Sequence, residues 1–107
     1  MTSDSELVAA IDQLDLEVLQ RWIDLGWVMP VQDLQELRFD AADVARVHLI
    51  CELHYDLSIE EDSMPVVLSL LDQLYAARRS LRALSSAVAA QPDDVRANIA
   101  TLAQSKL

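Results

Sequence analysis

The sequence predicts a mainly α-helical domain with one short two-stranded ribbon. Three observations carry that prediction. Leu, Ala, Val and Ile dominate a chain of 107 residues that is 52% apolar and only 5% aromatic, as suits packed helices. One Gly and three Pro leave too few turn positions for a run of tight hairpins. From Val67 to Val88 apolar residues recur at alternating spacings of 3 and 4, the seam of a coiled-coil helix.

The elements follow in order. Ser3-Asp4-Ser5-Glu6 reads as a capping box opening a helix that carries Leu7, Val8, Ala10 and Ile11. A turn over residues 12–15 lets Asp15 cap a second helix through Leu25, with Leu19, Trp22 and Ile23 inward; Gly26 stops it. Trp27-Val28-Met29, ended by Pro30, is expected to be extended, and residues 31–35 a polar connector. Leu37-Arg38-Phe39 alternates as a second short strand, so the two would pair as a ribbon.

Asp40 caps a third helix running to about Leu57, with Asp43 near its positive end. Val44, Val47 and Cys51 form one apolar stripe and Leu49, Ile50, Leu53 and Leu57 another, which places this helix inside the core. Ser58-Ile59-Glu60-Glu61 repeats the capping-box pattern. Pro65 cannot sit deep in a helix, so a longer one restarts near Ser63 and runs to about residue 90. Its seam is Val67, Leu70, Leu74, Ala77, Leu81, Leu84 and Val88. At 1.5 Å per residue it is ~40 Å long, more than so small a domain covers. A second subunit or the tail must cover its far end, and a homodimer is expected, with Leu70 to Val88 as the interface. Pro92-Asp93-Asp94 opens a tail helix with Val95, Ile99 and Leu102 on one face.

One domain over residues 1–107 is expected: a first part at 5–62, the long helix at 63–90 and the tail helix at 91–107. The net charge is −10, from 8 Lys+Arg against 18 Asp+Glu. Residues 1–62 hold 15 acids and 3 bases, net −12; residues 63–107 hold 3 acids and 5 bases, net +2. The first part repels polyanions and attracts a basic partner. The bland alternative is that such a surface only confers solubility. The lone Cys51 excludes an internal disulfide framework and suits a reducing, cytoplasmic compartment. The start lacks the features of a signal peptide, and no stretch has the ~18 apolar residues of a membrane span.

No catalytic constellation emerges. Cys51 lies between His48 and His54, but on one helix the two imidazoles point about 120° apart and cannot converge on the thiol. Two or three ligands at that geometry do not make a metal site. With one glycine there is no phosphate-cradling loop. The chain is read as a non-enzyme without a cofactor. Trp22 and Trp27 are expected to pack beside the ribbon rather than to form a ligand surface.

The order helix, turn, helix, two-stranded wing, helix pair, long helix resembles the winged helix-turn-helix of the MerR regulators. The matching residues are Trp22-Ile23-Asp24-Leu25-Gly26-Trp27-Val28-Met29-Pro30 and Leu37-Arg38-Phe39-Asp40-Ala41-Ala42-Asp43-Val44. The segment His54-Tyr55-Asp56-Leu57-Ser58-Ile59-Glu60-Glu61 follows in the place of the family's Leu-Gly-Phe-Ser-like turn. Where DNA-binding members carry Thr-Ile-Arg-Tyr-Tyr-Glu, this chain has Val18-Leu19-Gln20-Arg21-Trp22-Ile23, with Gln20 at the arginine position. Arg21 and Arg38 alone remain as phosphate contacts, against roughly 6–10 in a tight binder.

Residues 56–74 and the run Arg78-Arg79-Ser80-Leu81-Arg82-Ala83-Leu84 resemble the chaperone-modulator family CbpM more closely; the resemblance spans about 5–90. It implies an adaptor that binds the basic face of the J-domain of a CbpA-type, DnaJ-like co-chaperone and inhibits its co-chaperone and DNA-binding activities. The alternative is a MerR-family transcriptional regulator. For the adaptor, the candidate contacts are Asp56, Glu60, Glu61 and Asp62 at the corner between third and fourth helices, then Asp40 and Asp43. Capping and solvation account for these acids as well. Tyr55 and Ile59 are candidate apolar anchors, or core. Arg78, Arg79 and Arg82 suit either DNA or acids of a second subunit.

Overall fold

A computed structural model describes residues 1–107 and resolves two compact units, Met1–Leu68 and Ser69–Leu107. The first unit holds β1 (Thr2–Ser3), α1 (Asp4–Ala10), α2 (Leu16–Asp24), β2 (Val31–Asp33), β3 (Glu36–Phe39), α3 (Ala41–Cys51), a π-helical turn (Glu52–Asp56) and a 3-10 turn (Glu61–Ser63). α4 (Met64–Ala89) begins in the first unit and continues into the second, which ends with α5 (Asp93–Lys106). The fold is the mainly α, MerR-like winged helix that the sequence predicts, with a long C-terminal helix.

Local chemistry sets the helix ends. Ser3 Oγ accepts from the Glu6 amide at 3.2 Å, and Asp15 Oδ1 from that of Val18 at 2.8 Å. α2 ends in a Schellman arrangement: the Gly26 amide donates to Ile23 O and the Trp27 amide to Trp22 O, both at 3.0 Å, with Gly26 at φ +79°. At α3 the capping box is Asp40 with Asp43: Asp40 Oδ1 accepts from the Asp43 amide at 2.8 Å and Asp43 Oδ2 from the Asp40 amide at 3.1 Å.

The ribbon differs from the expected one. The apolar run at Trp27-Val28-Met29 is no strand; Trp27 and Val28 are buried and plug the core behind the α2 stop. The strand lies in the supposed connector. A two-residue loop, Leu34-Gln35, sets Asp33 opposite Glu36, which brings Gln32 opposite Leu37 and Val31 opposite Arg38. Apolarity at residues 27–29 reflects burial; register at 31–33 reflects the turn. A third strand joins on the other edge, Thr2 opposite Phe39 and Ser3 opposite Arg38, so the antiparallel order is β1-β3-β2.

The core of the first unit is Leu7, Leu14, Leu19, Trp22, Trp27, Val28, Phe39, Val47, Ile50, Cys51, Leu53, Met64 and Leu68. α3 carries both apolar stripes inward as far as Leu53, but Leu57 is exposed. The π-helical turn explains this: the Leu57 amide reaches back five residues to Glu52 O at 3.0 Å, shifting the register before the helix ends. In the second unit Leu70, Leu74, Leu81 and Leu84 stay exposed, so α5 does not cover the seam.

Candidate functional site

Two surfaces of the first unit gather the sequence-predicted residues: the corner between α3 and α4, and the outer faces of α2 and the wing. The corner is strained and closely bonded. After the π-helical turn, Ser58 takes φ +57°, a left-handed value that costs a side chain roughly 1–2 kcal/mol. The Ile59 amide donates to Leu53 O at 2.9 Å, and His54 Nδ1 lies 2.8 Å from Ile59 O. With its backbone so held, Ser58 opens no capping box. The 3-10 turn starts without a side-chain cap.

Glu61, expected to close that box and to line the partner face, turns inward instead. Its Oε1 accepts from Trp22 Nε1 at 2.9 Å and from Arg21 Nη2 at 2.7 Å. The reason is the indole: Trp22 is fully buried, and its N–H needs an acceptor. The Arg21 bond, then the Trp22 bond, holds the Glu61 carboxyl below its ordinary pKa. Nothing in sequence spacing pairs residues 39 and 40 positions apart; a buried tryptophan that lacks a local acceptor was the only signal.

The other corner acids, Asp56, Glu60 and Asp62, are exposed. Tyr55 is half-buried, its ring 4.9 Å from that of His54 and 6.4 Å from that of Trp22. Burial raises the Tyr55 pKa first, with nearby charges adding. Ile59 is half-buried too. Both candidate anchors therefore face mainly inward. Asp40 and Asp43 are committed to their capping box, and burial chiefly raises the Asp43 pKa.

Beside the corner, Ile11, Asp12, Gln13, His48, Cys51, Glu52, Tyr55 and Asp56 line an open pocket of about 270 Å³. It brings one imidazole near the thiol, but burial, with Asp56 and Glu52, pushes Cys51 up to about 11, so it is a thiol at neutral pH. His54 is occupied at Ile59, and no group of three potential metal ligands forms. Trp22 and Trp27 are core, their rings 6.2 Å apart.

α2 and the wing present little positive charge. Arg21 is bound to Glu61, and Arg38 Nη2 lies 3.0 Å from Glu36 Oε2. The third cation of the unit, Arg46, donates from Nε to Trp27 O. The outer face of α2 is an open groove of about 680 Å³ lined by Leu16, Glu17, Gln20, Arg21 and Asp24, with Gln20 Nε2 donating to Asp24 Oδ1 at 3.1 Å. The wing tip is Asp33, Leu34, Gln35 and Glu36, with Leu34 94% exposed at φ +55°.

Residues 6–86 match the family described as MerR HTH family regulatory protein. No curated protein matches the chain, and no solved structure does. No helix is long and apolar enough to cross a membrane.

Proposed function

Because the chain belongs to the MerR HTH family of regulatory proteins, matched over residues 6–86, we propose that it regulates by binding protein rather than DNA. It is a chaperone modulator of the CbpM kind, holding the basic face of a J-domain and competing for it. The observation that carries this reading is the internal pairing of the cations. Arg21 and Arg38, the arginines of α2 and the wing, are both in ion pairs with acids of their own unit. Polyanion affinity comes from cations free to displace phosphate counterions. Residues 1–62 as a whole carry a net −12.

The exposed Asp56, Glu60 and Asp62 steer a basic partner toward the corner. Replacing Glu60 and Asp62 by Lys slows association more than it speeds dissociation. The α4 seam, Leu70, Leu74, Ala77, Leu81, Leu84 and Val88, joins two such chains as a homodimer. No cofactor and no catalytic step belong to this reading.

The second reading, a transcriptional regulator, is favoured by the family match and by exposed Arg78, Arg79 and Arg82 on α4. Calorimetry at low salt with the J-domain proteins of the source organism separates the two, alongside a gel shift on random duplex DNA. Binding to a J-domain and none to duplex at moderate salt is the expected result. Duplex binding without J-domain binding replaces the proposal with the second reading.

A further inference from the structure

A steering rim does not supply affinity; an apolar anchor must, and it has to be accessible. Tyr55 and Ile59 face mainly inward. The outer face of α2 does offer one. At 100° per residue, Leu16, Glu17, Gln20, Arg21 and Asp24 fall within one 140° arc, opposite buried Leu19 and Trp22. Leu16 is 50% exposed, and Leu25, at the end of the helix, 55%. Between them lie two carboxylates seven residues apart, ~10 Å along the axis, against a single cation, Arg21, whose field reaches Glu17 but whose hydrogen bond goes to Glu61. Gln20 gives Asp24 only a neutral amide, so the face keeps an excess of negative charge.

We infer that this groove is the docking site for a basic amphipathic helix of the protein partner, its cations about seven residues apart meeting Glu17 and Asp24 and its apolar stripe meeting Leu16. The inference rests on the protein-binding reading above and gives it a place: the corner acids steer, and the α2 face holds. Charge selects the occupant. A nucleic-acid backbone meets two carboxylates and one arginine here, a net repulsion, and a second copy would bring acid against acid.

The test compares full-length variants, checked for folding by circular dichroism, against two probes. One is the J-domain protein of the same organism; the other is a fluorescein-labelled helical peptide with leucines on one stripe and lysines seven apart on its edge. Glu17→Lys with Asp24→Lys, or Leu16→Asp alone, is expected to weaken binding about 10-fold or more, against less than about 3-fold for Glu60→Lys with Asp62→Lys. If the J-domain binds and only the corner pair weakens it, the groove is overturned and the J-domain reading stands. If no J-domain protein binds, that reading falls, and the peptide decides the groove. Loss of peptide binding in the α2 variants alone supports it; equal binding by all variants overturns it. Duplex DNA held by the wild type and lost in Leu16→Asp, or self-association lost in the Glu17/Asp24 pair, also overturns it.

Discussion

Glu61 ties α2 to the corner through one oxygen. Glu61→Ala leaves the buried Trp22 N–H without its acceptor and should cost about 1–3 kcal/mol in a denaturant melt. Glu61→Gln keeps an acceptor and should cost less. The pH dependence has a definite sign. The folded-state pKa is depressed, so the stabilisation is complete above the ordinary glutamate range and is lost as pH falls through and below it. The gap in melting temperature between wild type and Glu61→Gln should therefore narrow as pH falls below about 5. A constant gap would mean that the ionised carboxylate contributes nothing special. Whether Glu61 faced outward was not legible in the sequence. As the fourth residue of Ser58-Ile59-Glu60-Glu61 it fits a cap, and only the three-dimensional approach of Trp22 diverts it.

At the scale of elements, what is local in the chain was legible. Asp15, Asp40 and Gly26 act on backbone groups two or three residues away, and each helix end they mark is where it was expected. Pairing in the wing was not, because apolarity at Trp27 and Val28 reports burial against α2 rather than strand formation. The π-helical turn was equally hidden: nothing in Glu52-Leu53-His54-Tyr55-Asp56 marks a five-residue reach. The wing also carries a replaceable residue. Leu34 holds a left-handed conformation with its side chain in solvent, so nothing in packing is lost on changing it. Leu34→Asn should stabilise the unit by about 0.5–1 kcal/mol in a thermal melt, since Asn tolerates that conformation better. The candidate docking face on α2 was legible only in part. Its acids were visible, but the exposure of Leu16 depended on knowing which side of α2 meets the core.

For the whole molecule, the proposed dimer rests on the seam of α4. Its leucines have the heptad spacing of a coiled coil and stay in solvent in a single chain. Leu74→Asp with Leu81→Asp should reduce the sedimenting mass from two chains to one without changing the melt of residues 1–68. A wild type that already sediments as one chain at micromolar concentration would remove the dimer. The tethering of Arg21, Arg38 and Arg46 has its own effect at this scale. With those cations bonded to groups of their own unit, dissolved sodium or potassium must screen the crowd of carboxylates around them. Between about 0.01 and 0.15 M salt the Debye length shrinks from roughly 30 to 8 Å. Melting temperature should climb over that interval while affinity for a basic ligand drops, both readable by calorimetry. Ionic strength thus becomes a single dial that toughens the folded chain as it loosens its grip.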